Sequence, residues 1–148
     1  MEDWKKQLNS HFEEQKQSKK ENREKQEALR ADAKKFINKS VLPAFEELKG
    51  ELKNHKRECL IDAKKDWAAL MVKKNKKKEF VYEVNLTSEA GGVQASKSVY
   101  MPNEKGKLKL GVEGRIRNPH NALRPDKIGK GDIIADFLED YKQATRVK

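Results

Sequence analysis

Between residues 33 and 72 the large apolar positions fall at steps of three and four: Ile37, Val41, Phe45, Leu48, Leu52, Cys59, Ala63, Trp67 and Leu70, broken only by His55. That spacing lines one face of an α-helix. Upstream, Trp4, Leu8 and Phe12 make a shorter stripe of the same kind. It predicts a helical segment that packs on a partner chain; three apolar residues are few for a shallow membrane anchor. Between the two stripes, residues 13–27 offer only Gln15, Lys19, Asn22 and Gln26 at stripe positions. Such a segment can be helical through i,i+4 charge pairs worth about 0.2 to 0.5 kcal/mol each, but it cannot form a dry seam. Leu29, Ala33 and Phe36 restart the stripe.

Pro43 interrupts this pattern in chemistry but not in phase. A proline inside a helix removes a hydrogen bond and clashes with the preceding turn, at about 3 kcal/mol. The apolar steps nevertheless run on through Ala33, Ile37, Val41 and Phe45 with Pro43 off the stripe, which predicts a kinked but continuous helix. The alternative is a break at Asn38-Lys39-Ser40, with Ser40 capping a second helix that folds back as a hairpin.

Lys73 to Lys78 then closes the helix, its positive charge suiting the negative end of the dipole. Downstream the period changes to two. Phe80, Tyr82, Val84 and Leu86 alternate with polar neighbours; Gly91-Gly92 signals a hairpin; Val93, Ala95, Val99 and Met101 mark a second strand interrupted by Lys97. A turn at residues 102–106 leads to Leu108, Leu110, Val112 and Ile116, a third strand. After a Pro-, Gly- and Asn-rich loop, Asp132 reads as an N-cap of a last helix. Ile133, Ile134, Phe137, Leu138 and Tyr141 form its apolar face, Asp136, Glu139 and Asp140 lie opposite, and Lys142, Arg146 and Lys148 end it. It is expected to cross the apolar sheet face beside Trp67, Leu70 and Met71.

The predicted fold is therefore α+β: a long amphipathic, coiled-coil-like helix over residues 1–78, and a three-stranded antiparallel meander with a C-terminal helix over residues 79–148. A helix of about forty apolar-striped residues is about 60 Å long, whereas three strands of eight residues cover about 27 by 15 Å. That mismatch calls for a second copy of the chain, paired through Ile37, Val41, Phe45, Leu48, Leu52, His55 and Cys59.

Charge adds one functional signal. The formal net charge is +10, and residues 1–78 hold 22 Lys and Arg against 14 Asp and Glu. Lys73, Lys74, Lys76, Lys77 and Lys78 are nearly contiguous, and Arg115, Arg117, Arg124, Lys127 and Lys130 follow the meander. Brought together, they would form a cationic patch able to displace counterions from phosphates. Tyr100 is the lone aromatic on the predicted polar face, too little for base stacking, so contact would be with the backbone and independent of sequence.

Other chemistry is weakly supported. His55 and Cys59 share a helical face at i,i+4, but a metal site needs three or four ligands and His11 and His120 lie far off; a polar step in a helical seam is the better reading. The glycines around residues 106–131 lack a Gly-Lys-Ser/Thr opening a helix, and Asp132 would sit where a phosphate belongs. No nucleophile is spaced with a base, and His120 between Arg117 and Arg124 reads as a loop histidine. The single cysteine excludes an intrachain disulfide, and no run suits a leader or a membrane span. The expectation is a cytoplasmic, non-enzymatic homodimer without cofactor or metal that presents a small head to a macromolecular partner, with non-specific nucleic-acid binding as the alternative.

Overall fold

The computed structural model describes residues 3–89 and 92–146. One continuous helix opens the chain: α1 (Asp3–Phe36), a π-helical turn (Ile37–Val41) and α2 (Leu42–Asn54). Five strands follow, β1 (Glu58–Lys64), β2 (Trp67–Lys74), β3 (Lys77–Glu89), β4 (Gly92–Pro102) and β5 (Leu108–Gly114), and then α3 (Lys130–Thr145). The strands form one antiparallel sheet in the order β1-β2-β3-β4-β5. Among the described residues, no helix is long and apolar enough to cross a membrane.

Pro43 is absorbed without a break. The π turn lies directly upstream of it, and Leu42 N–H donates to the Ile37 carbonyl five residues back. Widening the helix by one residue at this point takes up the register that proline's missing N–H and bulky ring disturb. The hairpin alternative does not form.

The helix ends at Asn54, well before the Lys73–Lys78 run that was expected to close it. His55 takes the C-cap position and Lys56 adopts a left-handed conformation (φ 63°). Arg57 N–H bonds the Leu52 carbonyl at 3.0 Å and Lys56 N–H the Lys53 carbonyl at 3.1 Å. This is a Schellman cap with lysine where glycine is usual, so the customary stop signal is missing from the sequence. The residues beyond it, Cys59 to Leu70, step at helical intervals by coincidence. They form the β1–β2 hairpin, closed by the Lys64–Trp67 pair and continued by Ala68 against Val84 and Leu70 against Tyr82 in β3.

The sheet therefore has five strands, not three, and is about 24 Å wide at 4.8 Å per strand. The apolar helix it must cover, residues 33–52, is only about 30 Å long. Ile37, Val41, Ala44, Phe45, Leu48 and Leu52 are buried against Cys59, Leu70, Val72, Phe80, Tyr82 and Val99 in one core. The predicted size mismatch vanishes for this part of the helix. α3 packs on the same sheet face, where Phe137 meets Phe80 edge-on at 5.3 Å and Tyr82 at 5.5 Å.

Three smaller expectations shift. Asp132 lies inside α3 rather than at its cap, its carboxylate accepting from Gly129 N–H at 2.9 Å. Trp67 and Met71 fall outside the core that α3 covers. A bulge in the β4–β5 pairing, where Val99 faces Val112 but Tyr100 faces Leu110, turns Leu110 away from the core. Of the Gly91-Gly92 hairpin signal, Gly92 pairs with Glu89, while Gly91, like Lys148, lies outside the described residues.

Candidate functional site

The two basic groups are not brought together. Lys73 to Lys78 occupies the β2–β3 turn, with Asn75 and Lys76 both in left-handed geometry (φ 52° and 68°). The β4–β5 turn lies at the same end of the sheet and adds Lys105, Lys107 and Lys109. Arg115, Arg117, Arg124, Lys127 and Lys130 follow β5 toward the opposite end, where Ala95 N–H bonds the Leu123 carbonyl at 2.7 Å. At 3.3 Å per residue along β4 the two groups stand about 20 to 30 Å apart.

Most of the second group is engaged within the chain. Arg115 donates to the Asn121 carbonyl at 3.0 Å, Arg124 pairs with Asp126 at 3.3 Å, and Lys130 with Glu47 at 3.1 Å. Arg124 and Lys127 also line a cleft of about 860 Å³ where the helix leaves the head, together with Lys35, Lys39 and His120. It is open, its wall mixes polar side chains with Leu29, Phe36, Val93 and Ile128, and Asp32 and Asp126 offset part of the positive charge.

Arg117 belongs to a buried ionic cluster that the sequence reading missed. Lys97 Nζ lies 2.8 Å from Asp136 and 2.6 Å from Asp140, all three inside the core. The Arg117 guanidinium reaches both carboxylates, at 3.0 and 3.2 Å, from a half-exposed position. Tyr82 Oη donates to Asp136 at 2.7 Å, and Arg117 N–H at 3.1 Å. Burial, reinforced by the Asp136 carboxylate, holds the Tyr82 hydroxyl well above the usual tyrosine range. Burial works to lower the Arg117 guanidinium, yet Asp140 and Asp136 together outweigh it and raise it.

Two cations and two anions balance, and among the described residues no buried side-chain nitrogen or oxygen lacks a partner. A charge-balanced cluster whose buried atoms are all bonded ties α3 to β4. One signal could have found it: Lys97 interrupts an inward-facing apolar alternation, and such a cation demands carboxylates opposite it.

The seven residues proposed for a dimer seam are placed otherwise. Ile37, Val41, Phe45, Leu48, Leu52 and Cys59 all lie in the chain's own core. His55 is exposed beside Glu51 at 3.6 Å. His55 and Cys59 are not on a common helix, so they share no face for an ion; burial pushes the Cys59 thiol up to about 11.

The uncovered part of the helix is upstream. Across residues 3–32 every side chain is exposed except Leu29, which is partly covered. This arm is about 45 Å long. Trp4, Leu8 and Phe12 stand exposed along one side near its far end.

Compared with known proteins, the chain matches no family model, and no curated protein or solved structure matches it.

Proposed function

We propose that the protein is a non-enzymatic interaction protein whose copies pair through the helical arm, each presenting its α+β head to another macromolecule. The observation that carries this reading is the arm itself. A helix of this length with no tertiary cover has only local support: side-chain hydrogen bonds between Gln15 and His11 and from Gln17 to Glu21, and i,i+4 charge spacings such as Lys20/Glu24 and Glu21/Lys25 that could add about 0.2 to 0.5 kcal/mol each. Ordering costs about 1 to 2 kcal/mol per residue for the backbone alone. Exposed Trp4, Leu8 and Phe12 supply apolar surface that a partner would cover, at roughly 1.5 to 3 kcal/mol per fully buried side chain. Because the stripe from Ile37 to Leu52 is filled within one chain, pairing falls to the arm. The lone, buried Cys59 suits a reducing compartment such as the cytosol.

Light scattering on the full chain tests this. Twice the monomer mass of 17.1 kDa, falling to the monomer for Trp4→Ala/Leu8→Ala/Phe12→Ala, supports it. A monomer at all concentrations removes it.

A second reading rests on the lysine-rich end of the sheet, where two turns crowd Lys73, Lys74, Lys76, Lys77 and Lys78 against Lys105, Lys107 and Lys109. Duplex or single-stranded nucleic acid should then bind without sequence preference and release steeply with salt. Replacing Lys76, Lys77 and Lys78 by Ala should flatten that salt dependence. Absence of binding at low salt ends this reading.

A further inference from the structure

The helices pack on one face of the sheet, and no helix of the described residues lies over the other. On the open face, cross-strand pairing aligns one residue from each strand: Leu60 with Met71, Met71 with Val81, Val81 with Tyr100, and Tyr100 with Leu110. None of the five belongs to the core that holds the helices. The row is apolar from edge to edge, since Tyr100 presents a ring body with a polar tip, and it spans about 19 Å over four inter-strand steps.

Exposure singles out the same places. Among the described residues the exposed large apolar side chains are Trp4 (59%), Leu8 (46%), Phe12 (52%), Leu60 (47%), Leu110 (50%) and Leu138 (39%). All but Leu138 belong either to the arm's far stripe or to the two ends of this row. Within the row Met71 and Tyr100 are half-buried and Val81 is buried among its neighbours, so its exposed apolar surface lies at the two ends, Leu60 and Leu110. A helix stripe laid across the row would cover both ends at once.

Charge sets the direction. Two residues along the strands from the apolar row, three on β5 because of its bulge, runs a second row, Asp62, Ala69, Glu83, Ser98 and Glu113. Its three carboxylates stand about 19 Å apart from first to last. Glu83 and Glu113 both raise the Tyr100 hydroxyl, after burial, which places them beside it. On the arm, Lys5 and Lys16 lie on one flank of the Trp4–Leu8–Phe12 stripe, about 16 Å apart. A helix lying across the strands with its stripe on the apolar row can set those two lysines over the acidic row.

The arm cannot reach its own open face. It is continuous with the helix that fills the opposite face, and its rigid rise carries Trp4 about 45 Å from the head. We infer that the open sheet face receives the Trp4–Leu8–Phe12 segment of a second copy, so that two chains exchange arms reciprocally. This rests on the arm-mediated pairing proposed above and specifies what the arm binds. In such an exchange each chain gives one arm and accepts one, which closes the pair and leaves no free end to propagate.

Full-length variants separate the alternatives. The arm variant is Trp4→Ala/Leu8→Ala/Phe12→Ala and the sheet variant is Leu60→Lys/Leu110→Lys; all five positions are exposed, and each variant should still melt cooperatively by circular dichroism, below the parent by no more than the loss of pairing accounts for. Leu60→Ser/Leu110→Ser serves if the lysines disturb the edge strands. Each variant alone should run at the monomer mass. An equimolar mixture at high concentration should regain the pair, because the arm variant keeps an intact sheet and the sheet variant an intact arm. A sheet variant that still pairs while the arm variant does not would overturn the sheet as receptor and point to arm against arm, leaving the proposed function standing. A mixture that stays monomeric overturns the exchange. A parent chain that is itself monomeric removes both.

Discussion

Replacing Lys97 by Met tests whether the buried ionic cluster acts as a unit. The substitution keeps most of the side-chain volume and removes one charge. Asp136 and Asp140, both buried, then share a single cation, Arg117, whose guanidinium is half in solvent. Removing one partner from a buried pair costs about 3 to 5 kcal/mol, because the remaining charge stays desolvated without compensation. Set against a total stability of about 5 to 15 kcal/mol, that is a large fraction. The melting temperature should fall by roughly 10 to 15 °C for a chain of this size. Adding Asp140→Asn restores the balance: Asp136 then faces Arg117 alone, and Asp140 touches nothing beyond Lys97 and Arg117. The double variant should recover at least half of the loss, a coupling of at least about 1.5 to 2.5 kcal/mol. Urea and thermal unfolding of the full chain, followed by circular dichroism, give both numbers. A Lys97→Met cost below about 1 kcal/mol, or strictly additive losses, would refute a mutually dependent cluster.

Further outcomes follow from single contacts. Tyr141, bonded to Glu79, is pushed up from 10.0 to about 12, chiefly by burial and then by Glu79. A folded-state value above the unfolded one contributes stability that is complete below about pH 10 and lost as pH climbs toward 12. Tyr141→Phe should blunt that loss in alkaline unfolding curves, and an unchanged alkaline midpoint would count against it. Tyr82→Phe removes the 2.7 Å bond to Asp136 and should cost about 1.5 to 3 kcal/mol in urea unfolding. With its thiol near 11 and buried, Cys59 should resist alkylation at pH 8 until denaturant is added; reaction at the rate of a free thiol would mean the β1 edge opens. Lys76 holds a left-handed conformation in a two-residue turn, so Lys76→Gly should raise stability by up to about 1 kcal/mol, and a loss would contradict the turn assignment.

Much of the fold could be read from periodicity. The unbroken phase across Pro43 identified a continuous helix, and the period-two runs from Phe80, Val93 and Leu108 became β3, β4 and β5. The reading failed where local signals were silent. A lysine at the left-handed cap position hid the helix end at Asn54. Ala63, Ala68 and Ala69, good helix formers within a helical spacing, disguised the β1–β2 hairpin, whose strand character comes from pairing with Val84 and Tyr82 rather than from propensity. Missing that hairpin shrank the sheet and left the stripe from Ile37 to Leu52 looking uncovered.

The candidate surfaces divide along the same line. The Trp4–Leu8–Phe12 stripe and the polar residues 13–27 were legible because an isolated helix depends only on local spacing. The separation of the lysine turn from Arg115 to Lys130, the inward turn of Asp136 and Asp140, and the apolar row across the open sheet face each depend on register between strands. A one-residue bulge beside Tyr100 decides whether Leu110 faces the core or solvent, and no single segment of sequence carries that information.

If the arm is completed by another chain, as proposed, backbone amide hydrogen exchange reads it directly. Protection is measured across residues 3–32 as protein concentration is raised, with residues 36–52 of the buried helix as an internal standard. Amides around Trp4 to Lys16 should gain protection with concentration while the buried segment stays constant. Exchange along the arm that is equally fast at every concentration would contradict it.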